Sequence, residues 1–205
     1  MKFEKVSYEE FWKALERFPL VAAEQLAMAE QIYRRIKIPD RKTVGSAGYD
    51  FSVPFTLSIG PGRTAYIPSG IKCYFSEQES ESWHLKLFVR SSIAKSRKLV
   101  LEHGTGIIDS DYYGNQDNEG HIFMPLRNFG KYPARLNMGE RVCQGIFEIH
   151  GLVTGDDATG IRSGGFGSTG IKSYDIQRSE RSDRRDREET DPPAPHGRDA
   201  EDLRK

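Results

Sequence analysis

The chain has 205 residues, a formal net charge of zero, 37% hydrophobic and 29% charged residues, and two cysteines. Balanced charge gives no global drive toward nucleic acid or a membrane surface. Neither cysteine sits in a Cys-x-x-Cys pair, which argues against a disulfide scaffold or zinc site and for a reduced setting. Polar residues follow Met1-Lys2-Phe3-Glu4-Lys5 instead of an apolar run, and no stretch is long enough for a membrane span. A cytoplasmic protein, with neither nucleic acid nor membrane as partner, is expected.

Ser7-Tyr8-Glu9-Glu10 reads as a capping box with Ser7 at the N-cap and Glu10 at N3. Phe11, Trp12, Leu15 and Phe18 follow at helical spacing, and Pro19 ends that helix or starts the next. From Leu20 to about Tyr33, Ala, Gln, Glu and Met predominate, which predicts more helix. Residues 1–35 are therefore expected to form a helical N-terminal extension. The pattern then changes to period two at Val53-Pro54-Phe55-Thr56-Leu57-Ser58-Ile59, closed by Gly60-Pro61-Gly62. Ala65-Tyr66-Ile67, Ile71-Lys72-Cys73-Tyr74-Phe75, His84 to Val89 and Arg141 to Ile149 predict further short strands. Strands punctuated by Gly and Pro, with no βαβ rhythm, predict an all-β sandwich or barrel over residues 36–170. Beyond that, Arg181-Ser182-Asp183-Arg184-Arg185-Asp186-Arg187-Glu188-Glu189 has nothing apolar to bury, so residues 171–205 are expected to be a disordered charged tail.

Five segments carry residue types suited to chemistry. Ser46-Ala47-Gly48-Tyr49-Asp50-Phe51 offers a glycine and a carboxylate. Val89-Arg90-Ser91-Ser92-Ile93-Ala94 offers a cation and two hydroxyls. Gly104-Thr105-Gly106-Ile107-Ile108-Asp109-Ser110-Asp111-Tyr112-Tyr113-Gly114 holds two close carboxylates. Gly139-Glu140-Arg141-Val142-Cys143-Gln144 follows, and Arg162-Ser163-Gly164-Gly165-Phe166-Gly167-Ser168-Thr169-Gly170 closes the set. In the last, successive N–H groups of a glycine-rich loop can converge on an anion, and Phe166 can cover a flat group beside it. That loop is not Gly-x-x-x-x-Gly-Lys-Ser/Thr, so it is no P-loop. Each segment also has a plain structural reading: a bulge at Gly48, a turn cap at Asp50, a helix N-cap at Arg90-Ser91-Ser92, a turn at Asp109-Ser110-Asp111, a hairpin at Gly139-Glu140, and a hinge in the glycine run. Asp109 and Asp111 alone make a weak cation site.

In this order the five segments resemble the five motifs of the dUTPase family, from about Ile36 to Gly170. The insert Gly114-Asn115-Gln116-Asp117-Asn118-Glu119-Gly120 is similar to that of phage and Bacillus members. The resemblance implies a distorted jelly-roll barrel, a homotrimer with active sites at subunit junctions, and Mg²⁺-assisted hydrolysis of dUTP to dUMP and pyrophosphate. Carried over residue by residue, Asp109 is the water-activating carboxylate, and Tyr112 packs under deoxyribose. Ile107 and Ile108 lie on the hairpin reading the uracil edge. Arg90, Ser91 and Ser92 come from a neighbouring subunit to the phosphates, and Gln144 serves there too. Phe166 closes over uracil, while Gly167, Ser168 and Thr169 cradle the terminal phosphate. No side chain is expected to hold Mg²⁺ directly; Asp50 is placed on the metal and phosphate side through water. Three positions depart from the family pattern: His103 stands where Asn is usual near the pyrimidine edge, Arg162 is shifted by one from the usual arginine, and Tyr113 replaces Arg or Gln.

Two other functions fit parts of the pattern. A dCTP deaminase on the same fold would need a glutamate on the strand after the third motif, which here reads His121 to Asn128 without an acid. A regulatory nucleotide-binding protein would use the N-terminal helices to contact a protein partner.

Overall fold

The structure, a computed structural model, describes residues 1–160, Arg162 and Gly164. The chain runs β1 (Lys2–Lys5), α1 (Tyr8–Glu16), α2 (Ala23–Ala27), α3 (Ala29–Arg35), β2 (Tyr49–Ser52), β3 (Leu57–Ile59), β4 (Thr64–Pro68), β5 (Ile71–Tyr74), α4 (Glu77–Ser80), β6 (Trp83–Val89), α5 (Ser91–Arg97), β7 (Leu99–Leu101), β8 (Gly106–Ile108), a 3₁₀ turn (Ser110–Tyr112), β9 (Phe123–Asn128), β10 (Ala134–Leu136) and β11 (Arg141–Ile149). Every named strand pair is antiparallel, in the orders β1-β5, β10-β3, β2-β11-β6-β8 and β4-β9-β7. The expected β-barrel, mostly β with a few helices, is thus the architecture of the described residues.

Period-two burial explains why these segments pair. Val53, Phe55, Leu57 and Ile59 are buried, although only the last two lie in a strand, because Pro54 has no N–H for a ladder. Leu85 and Leu87 of β6, Leu99 and Leu101 of β7 and Met124 and Leu126 of β9 fill the same interior. The predicted tail, residues 171–205, lies outside the described residues. Cys73 and Cys143 are buried free thiols, and burial pushes Cys73 up to about 12. Among the described residues no helix is long and apolar enough to cross a membrane.

The N-terminal segment is more than the helices expected. It opens with β1, which pairs with β5 from Lys2 opposite Tyr74 to Lys5 opposite Ile71. Only Phe3 marks that strand in the sequence; the partner edge supplies the rest. The second helical stretch breaks at Met28 into α2 and α3. Phe11, Leu15, Phe18 and Ile32 join the barrel's core, with Phe18 edge-on to Phe55 at 5.4 Å. Gly70, between β4 and β5, has φ +74°, and a Cβ there would collide with Ile36 and meet Phe11 at 3.3 Å. The close seating of these side chains therefore requires glycine at that turn.

The capping box forms only in half. Ser7 Oγ accepts from Glu10 N at 3.1 Å, as expected, but the Glu10 carboxylate turns inward to His121. Glu119, far along the chain, takes its place and accepts from Ser7 N at 3.1 Å.

Candidate functional site

β8 and the 3₁₀ turn build the acidic corner. β8 pairs with β6, Ile108 opposite Leu85, so Asp109 leaves the sheet at its edge. Asp109 caps the turn in extended conformation, and Tyr112 closes it with N–H bonded to Asp109 O at 3.2 Å. Asp109 and Asp111 remain half exposed, with side chains at 49% and 55%. Tyr112 is buried, its hydroxyl donating to His121 O and accepting from Asn118 Nδ2, both at 2.9 Å. Burial pushes that hydroxyl up to about 12.

Arg162, the first residue of the glycine-rich run, reaches this corner. Its Nη2 lies 2.7 Å from Asp109 Oδ2 and its Nε 2.9 Å from Asp111 Oδ1. Its guanidinium carbon sits 5.6 Å from the centre of the Tyr112 ring. One cation thus joins both carboxylates and the ring, within a single chain. The weak cation site considered for Asp109 and Asp111 is here an arginine clamp. Gly164 is buried beside it; Phe166, Gly167, Ser168 and Thr169 lie outside the described residues.

The second cluster gathers at the other end of β6. Asp50 on β2 faces Gln144 on β11. Its carboxylate, 10% exposed, binds Arg90 Nε at 3.0 Å and Arg141 Nη1 at 2.6 Å. Arg90 stands at the N-cap position of α5 without a side-chain capping bond, and Ser91 and Ser92 fill the first turn. Gly48 lies against Gln144: a Cβ would stand 2.7 Å from its Oε1. Asp50, placed loosely by sequence, is the carboxylate that orients Arg90. Arg141 was overlooked; it lies opposite Ser52, two residues along β2 from Asp50, across the bulge between Arg141 and Cys143.

The two clusters are apart within one chain. From Leu85, opposite Ile108, to Arg90 is five residues of strand, about 16 Å at ~3.3 Å each. Ile107 is half exposed and Ile108 buried, in line with alternation along β8. His103 is exposed in the turn between β7 and β8, its ring 3.3 Å from the position of a Cβ on Gly106. Tyr113 points away from the acidic corner, donating to Glu4 Oε2 of β1 at 2.5 Å. A cavity of about 410 Å³, walled by Ile36, Pro39, Phe51, Val53, Pro54 and Met138 among others, includes none of the expected site residues. Among the described residues no group of three or more His, Cys, Asp and Glu is placed to hold a metal ion.

Fold and corner define an antiparallel β-barrel enzyme whose acidic turn is met by a glycine-loop arginine. Residues 34–170 match the dUTPase family, and the chain belongs to it. It is 44% identical over 137 residues to the deoxyuridine 5′-triphosphate nucleotidohydrolase of Lactococcus lactis, an alignment covering 66% of this chain and 89% of that one. The Chromobacterium violaceum enzyme of the same name is 34% identical over 143 residues, with 66% and 89% covered. The crystal structure of dUTPase from Streptococcus mutans superposes with a TM-score of 0.57 at 32% identity, covering 76% of this chain and 100% of that one.

Proposed function

We propose that this dUTPase-family chain hydrolyses dUTP to dUMP and pyrophosphate by Asp109-directed attack of water on the α-phosphorus. The observation that carries this reading is Asp109 itself: a half-exposed carboxylate at a sheet edge, one turn from a buried tyrosine and paired with an arginine suited to phosphate. As substrate enters, its phosphates compete for the Arg162 guanidinium. The Asp109 carboxylate, released from that pair, orients a water and takes its proton. The Tyr112 ring packs under the deoxyribose and leaves no space for a 2′-hydroxyl, so UTP is a poor substrate. Ile107 and Ile108 present backbone to the uracil edge, with His103 beside it. Arg90, held by Asp50, with Ser91, Ser92 and Gln144, meets the phosphates, and Phe166, Gly167, Ser168 and Thr169 close over the nucleotide.

The donor set fits a cation that arrives on the substrate: Mg²⁺ keeps several waters and is bound mainly by phosphates, so a cage of three protein carboxylates is not required. When bound it neutralises charge on the triphosphate. Asp50, occupied by two arginines, contributes through water at most.

The ~16 Å between the clusters supports a homotrimer in which Arg90 and Ser91 of one subunit serve Asp109 of another. Mixed, refolded Asp109→Asn and Ser91→Ala chains then regain activity that neither has alone; no recovery would place a whole site in each chain. A deaminase reading is disfavoured because Glu119 is engaged by Ser7 and Lys72. A panel of dUTP, UTP and dCTP assayed for pyrophosphate and ammonia tests the function. Pyrophosphate from dUTP is expected; ammonia from dCTP, or binding without turnover, would overturn it.

A further inference from the structure

The third-motif tyrosine is held at its hydroxyl, and two hydrogen bonds of that hydroxyl lead back to the N-terminal segment. The first passes through His121, which is fully buried. Its Nε2 accepts from Gly70 N–H at 2.8 Å, so in the neutral ring the proton lies on Nδ1 and is donated to Glu10 Oε1 at 3.2 Å. This bond from α1 fixes His121, and the His121 carbonyl accepts from the Tyr112 hydroxyl. The second passes through Asn118 in the insert 114–120. Asn118 donates to the Tyr112 oxygen while its own Oδ1 accepts from Gly120 N and Asn115 Nδ2, so it is locked in orientation. The insert is pinned next door at Glu119, whose φ of +59° is unfavourable for a glutamate. Such a conformation persists only when its surroundings determine it. Ser7, with N–H at 3.1 Å and hydroxyl at 2.5 Å, and Lys72, at 2.9 Å, supply those surroundings. Lys13 adds a bond to Asp117 O at 3.0 Å.

Residues 1–33 fall outside the family match at 34–170, yet their hydrogen bonds reach the third motif and the segment after it, at Tyr113, Asp117, Glu119 and His121, while Phe3 packs on Tyr49 and Phe51 of the first motif. We infer that the N-terminal segment is a clamp for the third motif, in which Glu10 and Ser7 act as positioning residues that set the Tyr112 ring through His121 and Glu119. The clamp rests on the proposed role of Tyr112 as the sugar platform. It makes discrimination between deoxyribose and ribose depend on a segment remote in sequence from the nucleotide. A displacement of about 1 Å in a positioned group costs on the order of 100-fold, so a partial loosening is read as roughly tenfold.

The test compares the full chain with Glu10→Ala, Glu10→Gln and Glu119→Ala. Glu10→Ala removes the acceptor for His121 Nδ1–H; Glu10→Gln restores one. Glu119→Ala, at a partly exposed position, serves if Glu10→Ala does not fold. The expected result is a rise in the dUTP KM and a fall of about tenfold in the dUTP-over-UTP ratio of kcat/KM. Glu10→Gln should return the ratio to within about twofold of the parent. Amide hydrogen exchange supplies a readout independent of turnover: in Glu10→Ala and Glu119→Ala, residues 110–121 should lose protection while β6 and β11 keep theirs. Unchanged discrimination together with unchanged exchange at 110–121 would overturn the clamp. Parent protein without dUTP turnover would sink the proposed function, and the exchange result would still decide whether the clamp exists.

Discussion

The acidic corner and the N-terminal segment are built on opposite principles. Asp109, Asp111 and Arg162 meet at a half-exposed edge, where ion pairs are cheap to break and charge is available to a ligand. Glu10 and His121, also an acid facing a base, meet where almost no water reaches. There the ring is better neutral: above all burial holds His121 below the ordinary histidine value of 6.5, against the opposing pull of Glu10. A proton added at Nε2 would also face the Gly70 N–H. Similar residue types thus serve exchangeable chemistry in one place and fixed position in the other. Conformity to the family does not predict which is which, since the buried acid lies in the part outside the family match.

The contrast is broken most directly at Asp109. Asp109→Asn should lower kcat by about 10²–10⁴. The thermal midpoint should stay within a degree or two, because a half-exposed edge residue supports little of the core. A variant within a few-fold of parent kcat would remove Asp109 from the role of base. At the opposite pole, Phe11→Ala should cost about 3–5 kcal/mol in urea unfolding, with one transition for the helices and barrel together. Two separated transitions would show that the segment is an appendage after all.

Asp50→Asn sharpens the comparison from within the site. With its two arginine pairs weakened, Arg90 should wander and the dUTP KM should rise about tenfold, roughly 1.4 kcal/mol. kcat should change less than KM; an unaltered KM would mean that Arg90 is oriented by α5 alone.

Acid should loosen the buried pair. The folded pKa of His121 lies below its unfolded value, so its contribution is complete above about pH 6.5. It is lost as pH falls from there toward the folded value, by at most ~1.4 kcal/mol per pH unit. His84 is also held low, first by burial, and adds in the same sense. Melts at pH 7.5 and 5.5 check the sign, and a higher midpoint at pH 5.5 would contradict it. The smallest effect is expected at the Arg34–Glu30 pair on the outer face of α3: Glu30→Gln should change stability by about 0.3–0.5 kcal/mol or less.

Much of this was legible in the chain itself. Gly60-Pro61-Gly62, Pro68-Ser69-Gly70 and Gly139-Glu140 mark real turns, and the strands between them alternate in burial as their residues do. The five motif strings pointed to the family and to Asp109, Tyr112, Arg90 and Arg162 because short motifs encode local backbone and chemistry together. Less legible was whatever depended on a distant partner. Lys2-Phe3-Glu4-Lys5 has too little apolar alternation to announce β1 and becomes a strand because β5 offers an edge. Ser7 and Glu10 fit a capping box by spacing, yet Glu10 is worth more facing His121 in the interior, and Glu119 completes the cap from 112 residues away.

The sequence by itself determined the period of the strands that alternate on their own, such as Leu57–Ile59 and Ile71–Tyr74, many of the places where the chain turns, the start of α1 at Ser7 and the residue types of the site, since all of these follow from neighbours a few positions apart. Tertiary structure alone decided that Arg162 pairs with Asp109 and Asp111, that Asp50 holds Arg90 and Arg141, and that the N-terminal segment enters the barrel core. A charge finds its partner, and a buried acid its donor, by where the folded chain excludes water, and no local pattern of residues specifies that place.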